Sequence, residues 1–241
     1  MTYIQTKKNI ATRDRLIMAL DVPTITEAKN LVLELEDSIT FYKVGLELFM
    51  SGDYFELIRW LKEKEKKVFV DLKFFDVPET VGRAVRALSQ RGVEFATVHG
   101  NDAIMKAAAR EKGDLKILAV TVLTSLDQGD LDDLGFRCDI PALVLSRARR
   151  ALASGCDGVI SSGMEVPALR DEIDQRLIVV SPGIRPVENR PADDQKRIVT
   201  AEQAFLNGAD YVVVGRPIRD AADKKQAAQA LQEQIAATID F

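Results

Sequence analysis

Histidine is nearly absent from this chain: His99 is the only one in 241 residues. A zinc site built on several imidazoles is therefore excluded, as is a long relay of histidines moving protons. Cysteine is almost as scarce. Cys138 and Cys156 have neither C-x-x-C spacing nor the pattern of a disulfide framework, so they read as free thiols of a reducing compartment. No apolar run approaches the length that crosses a bilayer, and the opening MTYIQTKKNIATRDR lacks the apolar stretch of a secretory signal. Neither sign of charge dominates, since 33 basic residues face 37 acidic ones for a net charge of −4. That balance argues against a nucleic-acid surface and leaves room for a local cationic pocket that takes a phosphate. The expectation is a cytoplasmic protein with no membrane and no nucleic acid among its partners.

What the chain does have is alternation. Short β-rich runs recur: LIMALD (16–21), FYKVG (41–45), VFVDLK (68–73), FATVH (95–99), KILAVTVL (116–123), GVISS (158–162), LIVVSPG (177–183) and YVVVG (211–215). Segments with helical periodicity follow each of them, from TEAKNLVLELED to the closing DKKQAAQALQEQIAAT. Gly92, Gly113 and Gly155 end three of these segments, as left-handed helix caps do. Eight strands alternating with eight helices imply parallel pairing and right-handed crossovers. A (β/α)8 TIM barrel contains eight such units in about 250 residues. A doubly wound open sheet is the competing architecture, but it typically needs fewer strands, and the first βα turn here lacks GxGxxG. With no linker or low-complexity stretch, residues 1–241 are expected to form a single (β/α)8 barrel domain.

The third run, VFVDLKFFDVPET (68–80), carries charges at its end. Side chains alternate along a strand, so Val68, Val70 and Leu72 share one face while Phe69, Asp71 and Lys73 share the other. In a barrel the first set packs on helices and the second faces the axis. Asp71 and Lys73 then stand at the C-terminal mouth, where barrel enzymes carry their chemistry. Asp21 ends the first strand, Lys43 lies in the second, and Asp76 follows the third by a few residues. Buried unpaired charges are costly, so Lys43, Asp71, Lys73 and Asp76 are expected to meet as two cations and two anions. A structural ion-pair network would satisfy any one of them alone. Inward charges on three successive strands favour a functional cluster. SPGIRP (181–186) and VVVGRPI (212–218) follow strands seven and eight, where barrels frequently bind phosphate. There Gly215 lets backbone approach an anion and Arg216 offers a forked contact.

At these residues the chain resembles the orotidine 5′-monophosphate decarboxylase family of the bacterial type, over nearly its whole length. DLKFFDVPET is similar to that family's D-x-K-x-x-D-[IV]-P-x-T signature, and ALDVP, YKVG, VTVLTS, SPGIRP and VVVGRP agree in order and spacing. The resemblance implies decarboxylation of orotidine 5′-monophosphate to UMP without metal or organic cofactor. It implies that Lys73 is the proton donor at C6, that Asp71 faces the departing carboxylate, and that Lys43 and Asp76 complete an alternating array. It further implies a homodimer in which Asp76 serves the partner's site. Asp21 and Lys43 would bind ribose hydroxyls, and Thr80 and Thr124 the nucleotide. Arg185, Gln195, Gly215 and Arg216 would hold the phosphate end.

Two other readings share the pattern. Magnesium-dependent sugar-phosphate decarboxylases and aldolases of the same superfamily carry an acidic residue where strand two has Lys43, and an ammonium is a poor ligand for a hard cation. A barrel that only binds a nucleotide would not require a second ammonium at the reacting carbon. Among the remaining residues, His99, Trp60, Phe74 and Phe75 are expected to pack rather than react, and KEKEKK (62–67) to be a solvated helix end.

Overall fold

The computed structural model describes residues 8–185 and 197–239. A 3-10 turn at Thr12–Asp14 leads into β1 (Leu16–Ala19), and α1 (Ile25–Leu35) returns the chain to β2 (Phe41–Gly45). The short α2 (Leu46–Met50) precedes α3 (Tyr54–Glu63), followed by β3 (Lys67–Phe74), α4 (Pro78–Ser89), β4 (Phe95–Val98) and α5 (Asp102–Glu111). Next come β5 (Lys116–Val120), the short α6 (Gln128–Asp133), α7 (Ile140–Ala153), β6 (Gly158–Ile160) and α8 (Val166–Glu172). After them run β7 (Ile178–Ser181), α9 (Ala201–Leu206), β8 (Tyr211–Val214), the short α10 (Arg216–Arg219) and α11 (Lys224–Ile239). Each strand pairs in parallel with the next and β8 pairs with β1, so the sheet closes into the expected eight-stranded (β/α)8 barrel.

Local chemistry explains where the elements begin and end. Thr24, Asn101, Asp139 and Thr200 each accept a backbone N–H of the helix they precede, satisfying donors that the first turn leaves open. Gly92, Gly113 and Gly155 have φ of 67°, 54° and 87°, the left-handed caps expected of them. Six of the strands are shorter than the apolar runs that predict them, while β2 matches its run and β3 outlasts it by a residue at each end. β1 stops at Ala19 and β5 at Val120, so Asp21 and the 121–124 stretch leave the ladder and form the rim. Helices α2, α6 and α10, of 5, 6 and 4 residues, are too short to show a 3.6-residue stripe.

The strands separate two cores. Outward residues such as Val68, Val70, Ala96 and Val98 pack against the helices, with Leu72 beside them. Inward residues fill the barrel: Ile17, Phe41, Phe69, Phe95, Leu118, Val180 and Val213. The alternation expected along β3 is therefore observed. Phe95 stands 5.1 Å from Phe41 and 5.1 Å, edge-on, from Tyr211, and Phe69 lies 5.9 Å from Phe95. These rings plug the lower barrel and form the floor on which the mouth rests. KEKEKK is not wholly solvated. Lys66 is buried, and its ammonium donates to the carbonyls of Glu36 and Ile39 at 2.8 and 3.1 Å, because the tight turn before β3 folds its side chain under α1.

Below the plug a second ionic cluster closes the barrel. Asp210, fully buried just before β8, accepts from Arg170 at 2.8 Å, from Lys8 at 2.6 Å and from the Val179 backbone N–H at 2.8 Å. Arg15 donates to the Asp210 carbonyl at 3.2 Å. One carboxylate thus ties β7, β8, α8 and the segment before β1. Removing one partner of a buried pair strands the other charge, so Asp210→Ala should destabilise the fold by about 3–5 kcal/mol in urea unfolding. A loss below about 1 kcal/mol would reject this anchoring role.

His99 sits at the end of β4, its backbone N–H on the Phe74 carbonyl and its ring 5.6 Å from Phe75, edge-on. Burial, with Arg147 and Lys73 nearby, holds its pKa below the ordinary 6.5. The unfolded chain therefore takes up this proton first as pH falls. Stability should decline between pH 6.5 and the lower folded value, and no further through this group below it. As His99 is the only histidine, a single imidazole NMR resonance checks the midpoint, and His99→Gln should remove that part of the acid-side loss. A midpoint at or above 6.5 contradicts the reading.

Candidate active site

Four charged side chains meet at the C-terminal ends of the first three strands. Lys43 Nζ, on β2, lies 3.0 Å from Asp21 Oδ1 and 3.6 Å from Asp71 Oδ2. Asp71 Oδ1 in turn lies 3.0 Å from Lys73 Nζ. The order is Asp21–Lys43–Asp71–Lys73, a neutral set of alternating sign. Gly45 leaves room for it, since an added Cβ would stand 3.3 Å from Lys43 Nζ. Burial alone would lower the Lys43 pKa, but Asp71 and Asp21 outweigh it and hold the ammonium above the ordinary lysine value. Burial likewise opposes ionisation of Asp71, and Lys43 and Lys73 overcome it, holding the carboxyl below the ordinary range. Lys43 and Asp71 are thus both charged at neutral pH.

The backbone that presents Lys73 is irregular. Val70 pairs with Ala96 and Phe74 with Val98, so three residues of β3 face the single Thr97 of β4. Within this bulge Lys73 adopts φ of 49°, a left-handed conformation uncommon for a residue with a side chain. The Lys73 N–H donates to Thr97 Oγ1 at 2.9 Å, and the Thr97 hydroxyl donates to Asp71 Oδ1 at 2.9 Å.

The array forms one wall of a cavity of about 310 Å³. Arg185, Gly215, Arg216 and Arg219 line it from the ends of β7 and β8, and Thr124 and Ser125 from the loop after β5. Asp21, Lys43, Asp71, Lys73, Thr124, Arg185, Gly215 and Arg216, all expected from sequence, are therefore brought together. Arg219 was not foreseen. It donates to the Asp21 carbonyl at 2.7 Å and so joins the last βα turn to the first. Nor was the clasp behind Thr124. Arg197 donates at 3.0 Å to the carbonyls of both Val122 and Leu123, and pairs at 2.6 Å with Glu165. Burial pushes Glu165 up despite that partner. Seventy-four and 75 residues separate Arg197 from those carbonyls, and no local pattern signals the contact.

Three expected residues stand apart. Gln195 lies outside the described residues. Thr80 sits in the first turn of α4 and accepts from Arg83 at 3.2 Å. Asp76 is exposed and accepts from the Val77 N–H at 2.6 Å. Within one chain neither Thr80 nor Asp76 lines the cavity, and the second anion of the array is Asp21 rather than Asp76. Phe75 also differs from expectation. Although its ring meets His99, it is 69% exposed, because the turn after β3 carries it outward beside Asp76.

A fixed ammonium beside a carboxylate at one end, with arginines and a glycine turn at the other, can hold an anionic ligand and move a proton to it. Comparison with known proteins shows the family. Residues 14–231 match the family model described as Orotidine 5'-phosphate decarboxylase / HUMPS family. The chain is 76% identical over 235 residues to the orotidine 5'-phosphate decarboxylase of Methylococcus capsulatus, covering 98% of this chain and 97% of that one. It is 47% identical over 228 residues to that of Stenotrophomonas maltophilia, covering 94% of each. The crystal structure of orotidine 5'-phosphate decarboxylase from Lactobacillus acidophilus superposes with a TM-score of 0.82 at 34% identity, over 92% of this chain and 99% of that one. The chain therefore belongs to the orotidine 5'-phosphate decarboxylase / HUMPS family.

Proposed function

We propose that this chain decarboxylates orotidine 5′-monophosphate to UMP and CO2, as one catalytic barrel domain that requires no metal or organic cofactor. The observation that carries this reading is the alternating Asp21–Lys43–Asp71–Lys73 array facing the same cavity as Arg185 and Arg216. The phosphate binds Arg185, Gly215 and Arg216, with Gln195 from the segment that follows Arg185 in sequence; Asp21 and Lys43 take the ribose hydroxyls. Thr124 contacts the pyrimidine, held in place by the Arg197 clasp. C6 then lies beside Lys73. The bond from C6 to the carboxylate breaks, CO2 leaves, and the electron pair stays on C6. The Lys73 ammonium stabilises that charge and donates its proton to C6, regaining one from solvent later. As CO2 departs, repulsion between its former negative charge and Asp71 falls. Contacts at the distant phosphate hold the reacting end in register, so they serve the rate as well as the binding.

The metal-free reading is supported by Lys43. It places an ammonium between the two carboxylates that would otherwise be nearest to a divalent ion, and repels one. Cytoplasmic residence suits a nucleotide substrate and the free thiols Cys138 and Cys156. No helix among the described residues is long and apolar enough to cross a membrane.

A homodimer with Asp76 and Thr80 delivered to the partner's cavity accounts for their place outside this chain's own. Leu46, Phe49 and Met50 after β2, and Phe75 and Val77 after the neighbouring β3, are exposed apolar residues on the same side as Asp76. Such a patch at the rim of a site is the kind of surface a second copy covers.

Purified protein treated with EDTA should convert orotidine 5′-monophosphate to UMP, followed by loss of orotate absorbance and release of CO2; turnover only on adding magnesium overturns the reading. Lys73→Ala should lower kcat by roughly 10⁴-fold or more while UMP still binds. Mixing Asp76→Ala with Lys73→Ala subunits should restore about a quarter of parental activity, since half the dimers are mixed and each has one intact site. No recovery despite proven subunit exchange rejects the shared site.

A further inference from the structure

Thr97 touches both residues on which the proposed chemistry turns, yet it is fully buried and does not line the cavity. Its hydroxyl is used in both directions. The lone pair accepts the Lys73 backbone N–H and the proton goes to Asp71 Oδ1, each at 2.9 Å. The setting explains why this matters. Three residues of β3 face one of β4 here, and the Lys73 backbone N–H takes a side-chain oxygen of β4 as its acceptor. Its left-handed backbone persists only where the surroundings over-determine it. On the other side, Asp71 Oδ1 already accepts from Lys73 Nζ at 3.0 Å, while Oδ2 faces Lys43. The hydroxyl therefore closes a small ring: Lys73 backbone, Thr97, Asp71 carboxylate, Lys73 ammonium.

We propose that Thr97 is a positioning residue, whose hydroxyl holds the left-handed Lys73 backbone by its N–H and through the same oxygen fixes the Asp71 carboxylate that aims the Lys73 ammonium. The inference rests on the decarboxylase reading above. The role needs a short side chain at the barrel mouth that is both donor and acceptor. Valine copies the shape without the hydroxyl, and serine keeps the hydroxyl without the methyl. The two substitutions therefore separate positioning from packing.

Steady-state rates with orotidine 5′-monophosphate, equilibrium binding of UMP and a thermal melt are measured on the full chain. Thr97→Val is expected to lower kcat by roughly tenfold to a hundredfold, as loss of a charge-assisted hydrogen bond does, with UMP affinity within about threefold of the parent. Thr97→Ser is expected to hold kcat within about threefold. A purely structural threonine would instead lower the melting temperature in Thr97→Val and leave kcat alone. Folded Thr97→Val with parental kcat overturns the positioning role, as does Thr97→Ser as slow as Thr97→Val. Should Thr97→Val not fold, Thr97→Ala, which cannot overfill the bulge, makes the same comparison with Thr97→Ser. A parent that does not turn over the nucleotide overturns the proposed function itself; a parent that does, beside an equally fast Thr97→Val, overturns only this inference.

Discussion

Asp71 is a carboxylate held where water is scarce, and the site is organised around the need to neutralise it. Two ammonium groups flank it, one at each carboxylate oxygen, and a second carboxylate, Asp21, balances the surplus cation. Each member comes from the end of a different strand or from a different place on one strand. Their meeting depends on register: Ala19 pairs with Lys43 and Gly45 with Asp71. The register in turn depends on closure of the barrel, which the β1–β8 pairing and the Asp210 cluster secure. Charge neutrality at the mouth is thus the reason that several distant structural features have to be right together.

The same cavity keeps the lysine–carboxylate array apart from the arginines. Lys73 and Asp71 occupy the wall made by β3, while the arginines approach from the turns after β7 and β8. A ligand that meets both walls has to reach across the barrel, which fixes its orientation. Arg219 adds a physical link between the walls by donating to the Asp21 carbonyl. Arg197 does the same for the third side, tying the turn that bears Thr124 to α8 through Glu165.

Much of this is legible in the residues. Phe69, Asp71 and Lys73 alternate with Val68, Val70 and Leu72, and a period of two assigns the faces without further information. The eight strands and their parallel order follow from apolar runs separated by amphipathic segments. Other features carry no local signal. Lysine is not a residue that announces a left-handed backbone, so the bulge at Lys73 becomes visible only when β3 is laid beside β4. Thr97 reads as an ordinary β-branched strand residue in FATVH, because its partners are 24 and 26 positions away. Lys66 reads as one more charge in KEKEKK, although its ammonium is spent on buried carbonyls. Asn101, two residues after His99, is legible as the cap of α5.

The aromatic plug has a consequence for how such a protein can change. Phe41, Phe69, Phe95 and Tyr211 form an uncharged layer, with Asp210, Arg170, Arg15 and Lys8 beneath it and Asp71 with its partners above. No side chain belongs to both ionic groups. The chain therefore contains two ionic groups separated along one axis by an uncharged layer, and alterations in them should combine with little interference. Chemistry at the mouth can be rewritten residue by residue while the foundation stays as it is.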